Sequence, residues 1–194
     1  MTFGTATPIV RFRKPLLFSC MLLVLACAQP QPKPQVDEKA DLYRTLRTAA
    51  LTRAPKEVGI SAAPNELFVV VMDFPRTTGT ATLVAYVDGG TSLYLSAGGG
   101  VIGAGQRKTV RVANAKLFRR AARATRAATS TTSFPLPAEG EVTFYLRTPS
   151  GTSTIRATEA ALADPQHPAA PLYEVAQSMI TELGLNDSTP RARR

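Results

Sequence analysis

Tryptophan is missing from this chain of 194 residues, histidine occurs once, and the only cysteines, Cys20 and Cys27, fall within the first 27 positions. Residues 28–194 therefore offer no thiol for a disulfide, a nucleophile or a thiolate metal site. His167, alone between Gln166 and Pro168, cannot supply the converging groups of a catalytic triad or a zinc centre. No metal and no cofactor is expected on these grounds. Long apolar runs are scarce too: the run at Pro15–Ala26 has 12 residues, against about 20 for a helix that crosses a bilayer. Acidic residues are absent from 89 to 138, whereas the whole chain carries a formal charge of +9.

The N-terminus does show an ordered pattern. Arg11, Arg13 and Lys14 precede the apolar run, and a small residue, Ala26, precedes Cys27. Charge, apolar stretch and small residue in that order are the zones of a secretory signal peptide. The segment Val24-Leu25-Ala26-Cys27 resembles the lipobox of bacterial lipoproteins, departing from its commoner form in having Val at 24 and Leu at 25. The resemblance implies cleavage before Cys27, a lipidated Cys27 as the first mature residue, and a membrane partner reached through the lipid anchor. Two or more acyl chains hold a protein stably, each buried methylene contributing about 0.8 kcal/mol. Ala28 stands where inner-membrane retention would want Asp, so the resemblance points to the outer membrane, facing the periplasm. Loss of Arg11, Arg13 and Lys14, in a stretch without acids, takes the charge from +9 to +6.

The remaining chain divides into a tether, a domain and a tail. Residues 27–36 include AQPQPKPQ, whose alternating prolines make a semi-rigid spacer of about 3.1 Å per residue. Residues 37–184 read as one α+β domain. A helix is expected from Asp37, with Leu42 and Leu46 on its apolar face, ending before Pro55. Leu67–Asp73 is an unbroken apolar run suited to a strand buried on both faces and closed by Pro75. Thr80–Val87 alternates, Asp88-Gly89-Gly90 turns, and Thr91–Ala97 returns, giving a three-strand meander. Gln106–Ala128 has helical periodicity, with Val110, Ala113, Leu117, Ala121, Ala124 and Ala128 on one face. Ser130–Pro137 reads as a loop. Glu141–Arg147 and Thr152–Thr158 read as a hairpin, and a closing helix from Pro171 to Gly184 carries Leu172, Val175, Met179 and Leu183. Residues 185–194 read as a disordered basic tail. This order predicts an antiparallel sheet, meander plus hairpin, with helices packed mainly on one face. Profilin-like and roadblock-like domains have a similar layout, and layout carries no function.

Three sets of residues are candidates for a site. Gly98-Gly99-Gly100-Val101-Ile102-Gly103 matches G-x-G-x-x-G, but the strand before it follows a tight turn and no acid follows for a ribose. The glycines Gly98, Gly99, Gly100 and Gly103 are then either a packing loop or an anion site built from backbone N–H groups with Arg107. The helix at 106–128 holds eight basic residues and no acid. Of these, Arg107, Lys116, Arg119, Arg123 and Arg126 are the candidates for contact with an anionic lipid or polymer or an acidic envelope protein. An export signal, and the lack of aromatics other than Phe118 among these charges, argue against nucleic acid. Paired carboxylates for hydrolysis of an envelope polymer would have to come from Asp73 with Glu66, Glu139 or Glu141.

The segments Met72–Pro75, Ala81–Leu83, Ser92–Ser96, Gly98–Gly103 and Val110–Phe118 resemble a group of uncharacterised bacterial domains. That resemblance implies one compact domain and no mechanism. The sequence thus leads to the expectation of a lipid-anchored envelope protein whose domain is a non-catalytic binding or assembly module. An envelope-polymer hydrolase, or an anionic-surface binder acting through helix 106–128, are its alternatives.

Overall fold

Alternation of side chains along extended strands gives each strand two faces, and in the central strand both faces are buried over most of their length. The computed structural model describes residues 38–184; the lipobox, the tether, Asp37 and the C-terminal tail lie outside the described residues. Seven antiparallel strands form one sheet in the order β4-β3-β2-β1-β6-β7-β5. They are β1 (Val69–Arg76), β2 (Gly79–Tyr86), β3 (Thr91–Leu95), β4 (Gly100–Val101), β5 (Thr129–Thr131), β6 (Glu141–Thr148) and β7 (Gly151–Thr158). Helices α1 (Glu38–Thr52), α2 (Lys108–Ala124), α3 (Glu159–Ala163) and α4 (Ala170–Glu182) complete the fold.

The antiparallel α+β architecture, the meander and the hairpin are as the sequence predicts. Most helices share one face. Val70, Met72 and Phe74 of β1, Leu83 of β2 and Phe144 of β6 point to a core closed by α2, α3 and α4. The alternate residues Val69 and Val71 of β1, Val84 of β2 and Tyr145 of β6 point the other way, to a smaller core closed by α1 through Tyr43, Ala50 and Leu51. A β1 covered on both faces explains why its run is continuously apolar.

Several boundaries differ: α2 is shorter than the expected 106–128, β3 ends at Leu95 rather than Ala97, α3 has no counterpart in the sequence pattern, and three further changes concern the strands. Pro75 does not end β1, since it still pairs with Thr80 and the strand runs to Arg76. Gly100–Val101 adds a short edge strand against Leu93 and Tyr94. Thr129–Thr131, overlapping the start of the predicted loop, pairs with β7 and forms the other edge. Only β5 depends on a partner distant in sequence; β4 follows its partner β3 directly but, at two residues, is too short to show a period, and Pro75 pairs across the tight β1–β2 turn. Short edges also leave few unpaired backbone groups for another chain.

Two glycines and one asparagine set how α2 meets the sheet. A Cβ on Gly105 would lie 2.3 Å from the Gly89 carbonyl oxygen, so the turn before α2 can approach the β2–β3 turn only without a side chain. Asn114, rather than Ala113, is the buried residue of that helical turn. Its Nδ2 donates to the Tyr86 carbonyl at 3.1 Å and to Thr91 Oγ1 at 3.0 Å, fastening α2 to the same turn. Its polarity hides it from an apolar periodicity search.

Candidate binding surface

The polar residues under α1 come first, because they include the acid best placed for chemistry. Asp73 and Thr82 are register partners on β1 and β2, both wholly buried. Asp73 Oδ2 accepts from Arg47 Nε at 3.0 Å and Nη2 at 2.6 Å, while Oδ1 accepts from Thr82 Oγ1 at 2.5 Å. Since the Thr82 proton is spent there, the Tyr43 hydroxyl donates to Thr82 Oγ1, 2.9 Å away. Arg47 Nη2 also donates to the Phe134 carbonyl at 3.0 Å, and Tyr145 donates its hydroxyl proton to the Pro135 carbonyl at 2.7 Å. Burial works against the Arg47 charge, but the hydrogen bond and charge of Asp73 prevail and hold its ionisation above the ordinary value.

This chain pins α1 and the 134–135 segment to the sheet. Asp73 has no exposed surface, so it cannot share a solvent cleft with Glu66, Glu139 or Glu141. Glu66 and Glu141 accept hydrogen bonds from the nearby backbone N–H groups of Ala63 and Ala138, respectively. Glu139 does line an open cleft with an acid the sequence did not single out, Glu159. Glu159 arrives there through the β6–β7 register, its N–H bonding the Gly140 carbonyl at 3.0 Å. His167 serves its own turn, with Nδ1 accepting from the Ala169 N–H at 3.2 Å. Among the described residues no group of three or more His, Cys, Asp or Glu is placed to hold a metal, and no helix is long and apolar enough to cross a membrane.

One buried hydroxyl in the same layer has no partner: Thr143, paired with Asp73 across β1 and β6. An unsatisfied buried hydroxyl costs about 1–3 kcal/mol. Thr143→Val, which keeps the shape and β-branching, is expected to raise stability by about 1 kcal/mol in urea unfolding. A loss of stability would show that the hydroxyl has a partner after all.

Burial also marks the tyrosines. Desolvation raises the ionisation of Tyr43, Tyr86, Tyr145 and Tyr173 above the ordinary phenol value. Between the unfolded and folded values the native state holds more protons, so stability falls as pH rises. The contribution is complete below about pH 10, the unfolded phenol value, and is lost as pH climbs through the folded values. Alkaline titration should therefore show tyrosinate absorbance appearing together with loss of helical circular dichroism. Tyrosinate formation in a chain that keeps its helix signal would contradict this.

The glycine candidates prove to be part of a sheet edge. Gly98, Gly99, Gly100 and Gly103 all have positive φ. A Cβ on Gly100 would meet the Leu93 carbonyl oxygen at 2.1 Å, and one on Gly98 would meet Lys39 of α1 at 2.6 Å. The Gly98 N–H bonds the Leu95 carbonyl and the Gly103 N–H bonds Ser92 Oγ, so two amides of the supposed anion site are spent. Gly98, Gly99 and Gly100 do line a small apolar groove with Leu42, Tyr43 and Ile102. Gly103 stands outside it, capping the turn before α2.

The basic helix keeps its exposure. Val110, Asn114, Leu117, Ala121 and Ala124 face the protein. On the opposite side Lys108, Val112, Lys116, Arg119 and Arg123 follow one another at steps of three or four residues, and Arg126, in the 3-10 turn Thr125–Ala127 that continues α2, extends the file along one ridge. All are exposed. Among the described residues no carboxylate forms an ion pair with the ridge; Glu182 of α4 lines a shared cleft with Lys108 and Lys116, and no acid lies beside Arg123 or Arg126 in any such cleft. Arg107 stands apart from the other four candidates: its Nη1 donates to the Glu182 carbonyl at 2.8 Å, at the end of α4. Lys116, Arg119, Arg123 and Arg126 share the ridge, joined by Lys108.

Fold and surface together define an α+β protein of one antiparallel sheet, two helical layers and a basic ridge. No protein-family model matches the chain, and no curated protein or solved structure shows significant similarity to it.

Proposed function

We propose that this chain is a lipid-anchored bacterial cell-envelope protein, held by Cys27 at the outer membrane with its domain in the periplasm. The domain acts as a non-catalytic binding or assembly module, and α2 is its contact surface for an acidic envelope protein or polymer. The observation that carries this reading is the file of exposed cations on α2, with no ion-pair partner among the described residues. A solubilising surface mixes charges of both signs, whereas this ridge has one sign only. The wholly buried Asp73, already engaged with Arg47 and Thr82, supports a structural role for that acid.

The experiment compares partners cross-linked to the wild type in intact cells with those of Arg119→Gln/Arg123→Gln/Arg126→Gln. Partners lost from the variant support the contact surface, and an unchanged set would sink it. The anchor has its own check, incorporation of radiolabelled palmitate that disappears in Cys27→Ser. A wild type that takes up no label would overturn the anchoring.

A further inference from the structure

The arrangement of the charges says more about the partner, on the reading that α2 is the contact surface. We infer that α2 and the cleft beside its C-terminal half bind a linear anionic glycan, acidic groups along the ridge and sugar units in the cleft. From Lys116 onward, steps of three and four residues put successive cations about 4.5–6 Å apart along the axis, while Lys108 stands about 12 Å before Lys116, with Val112 between them. From Lys108 to Arg126 the ridge runs about 25–30 Å. A file of that kind matches a chain of charges lying along it.

The helix is costly without such a partner. Lys116–Arg119 and Arg119–Arg123 are like-charge neighbours within α2, each pair destabilising a helix by a few tenths of a kcal/mol. Lys108 and Arg111 stand in the first turn, at the positive end of the helix dipole, where cations are disfavoured. A polyanion along the ridge supplies the missing countercharge.

A flat anionic bilayer fits less well. Helix α4 packs beside α2, with Arg107 at its C-terminal end, and its exposed Glu182, alone among the described acids, lines a cleft with Lys108 and Lys116. A flat surface laid on this side would meet it too. Val112, 63 % exposed, is the only large apolar residue that α2 presents to solvent. One valine is too small an apolar face for an interfacial helix.

The cleft favours sugar over a bare polyanion. Arg119 belongs to both ridge and cleft; Phe118, Asn65 and Ser153 line the same space with Glu66, whose carboxylate accepts the Ala63 N–H and whose charge places neutral sugar rather than acidic groups here. Phe118 is half-buried, offering ring surface to an apolar sugar face. Among the described residues, neither the Asn65 amide nor the Ser153 hydroxyl has a side-chain hydrogen bond, which leaves donors and acceptors for ring hydroxyls.

The test uses the full chain in detergent micelles and a fluorescent heparin oligosaccharide as the linear anionic glycan. Polyphosphate, polyglutamate and phosphatidylglycerol vesicles are the comparison probes. Heparin should bind, with affinity falling steeply with salt at a log–log slope of about −3, as for several neutralised charges on a flexible polyanion. Arg119→Gln/Arg123→Gln/Arg126→Gln should weaken it at least about tenfold, on the same counterion argument. Asn65→Ala/Ser153→Ala should weaken heparin several-fold and leave polyphosphate unchanged. Polyphosphate and polyglutamate bound as tightly as heparin, with no effect of Asn65→Ala/Ser153→Ala, would overturn the glycan inference in favour of a general polyanion surface. Vesicles bound more tightly than any polymer would overturn it in favour of lipid. If heparin fails while cross-linked partners still depend on the arginines, the glycan inference falls and the binding-module reading stands.

Discussion

Asp73→Ala should destabilise the domain by about 3–5 kcal/mol, the usual cost of breaking one side of a buried ion pair. The substitution strips Arg47 of its carboxylate and leaves a guanidinium facing the protein interior, with only backbone carbonyls as acceptors. It also removes the acceptor of Thr82 Oγ1, and with it the fixed direction of the Tyr43 hydroxyl. A domain with a typical stability of about 5–15 kcal/mol would lose about a fifth of it or more. Equilibrium urea unfolding by circular dichroism measures the loss. The double variant Asp73→Leu/Arg47→Met removes both charges together, and should recover much of what the single change costs. A single change costing less than about 1 kcal/mol, in the range of exposed pairs, would mean that the cluster is solvated.

Gly100→Ala should have the second largest effect, about 3 kcal/mol or more from backbone strain and overpacking combined. Gly100 has φ +136°, a conformation L residues rarely adopt, and its Cβ would collide with the Leu93 carbonyl oxygen rather than with a side chain that can turn away. The neighbouring glycines are internal controls. Gly99 and Gly103 have φ +87° and +69° with nothing within 4 Å of a built Cβ, so alanine there meets only the left-handed penalty of about 1–2 kcal/mol. The expected order of thermal stability is wild type, then Gly99→Ala and Gly103→Ala, then Gly100→Ala. Equal losses at all three positions would show that close packing of β4 on β3 contributes nothing. The same series bears on ligand binding, since a glycine loop built for an anion would lose binding at all four positions whatever their packing.

The strands of five residues or more were legible. β1, β2, β3, β6 and β7 belong to two tight antiparallel runs, and their alternation reports the two faces of the sheet directly. The edge strands β4 and β5 were not legible, because three residues or fewer carry no periodicity and their pairing is decided by β3 and β7. The basic ridge was visible in part. Helical spacing gathered Lys116, Arg119, Arg123 and Arg126 with Lys108, but could not show that Arg107 turns to the end of α4. Among the carboxylates, Asp73 looked like a strand-end residue before Phe74-Pro75. Its burial depends on Arg47, 26 residues away on α1, a pairing that no local pattern records.

Sequence alone determined the class of fold, the continuous burial of β1, the length and sign of the charge on α2, and the absence of thiols after Cys27. These are properties of composition and of periods 2 and 3.6, which each segment carries within itself. Only the tertiary structure decided which polar groups are spent in holding the fold and which remain available at its surface. Asp73, Arg47, Arg107 and half of the glycine-loop amides are spent, while the ridge on α2 remains. The physical reason is that a polar side chain's role depends on its partner and its access to water, and both are fixed by elements that meet from far apart in the chain.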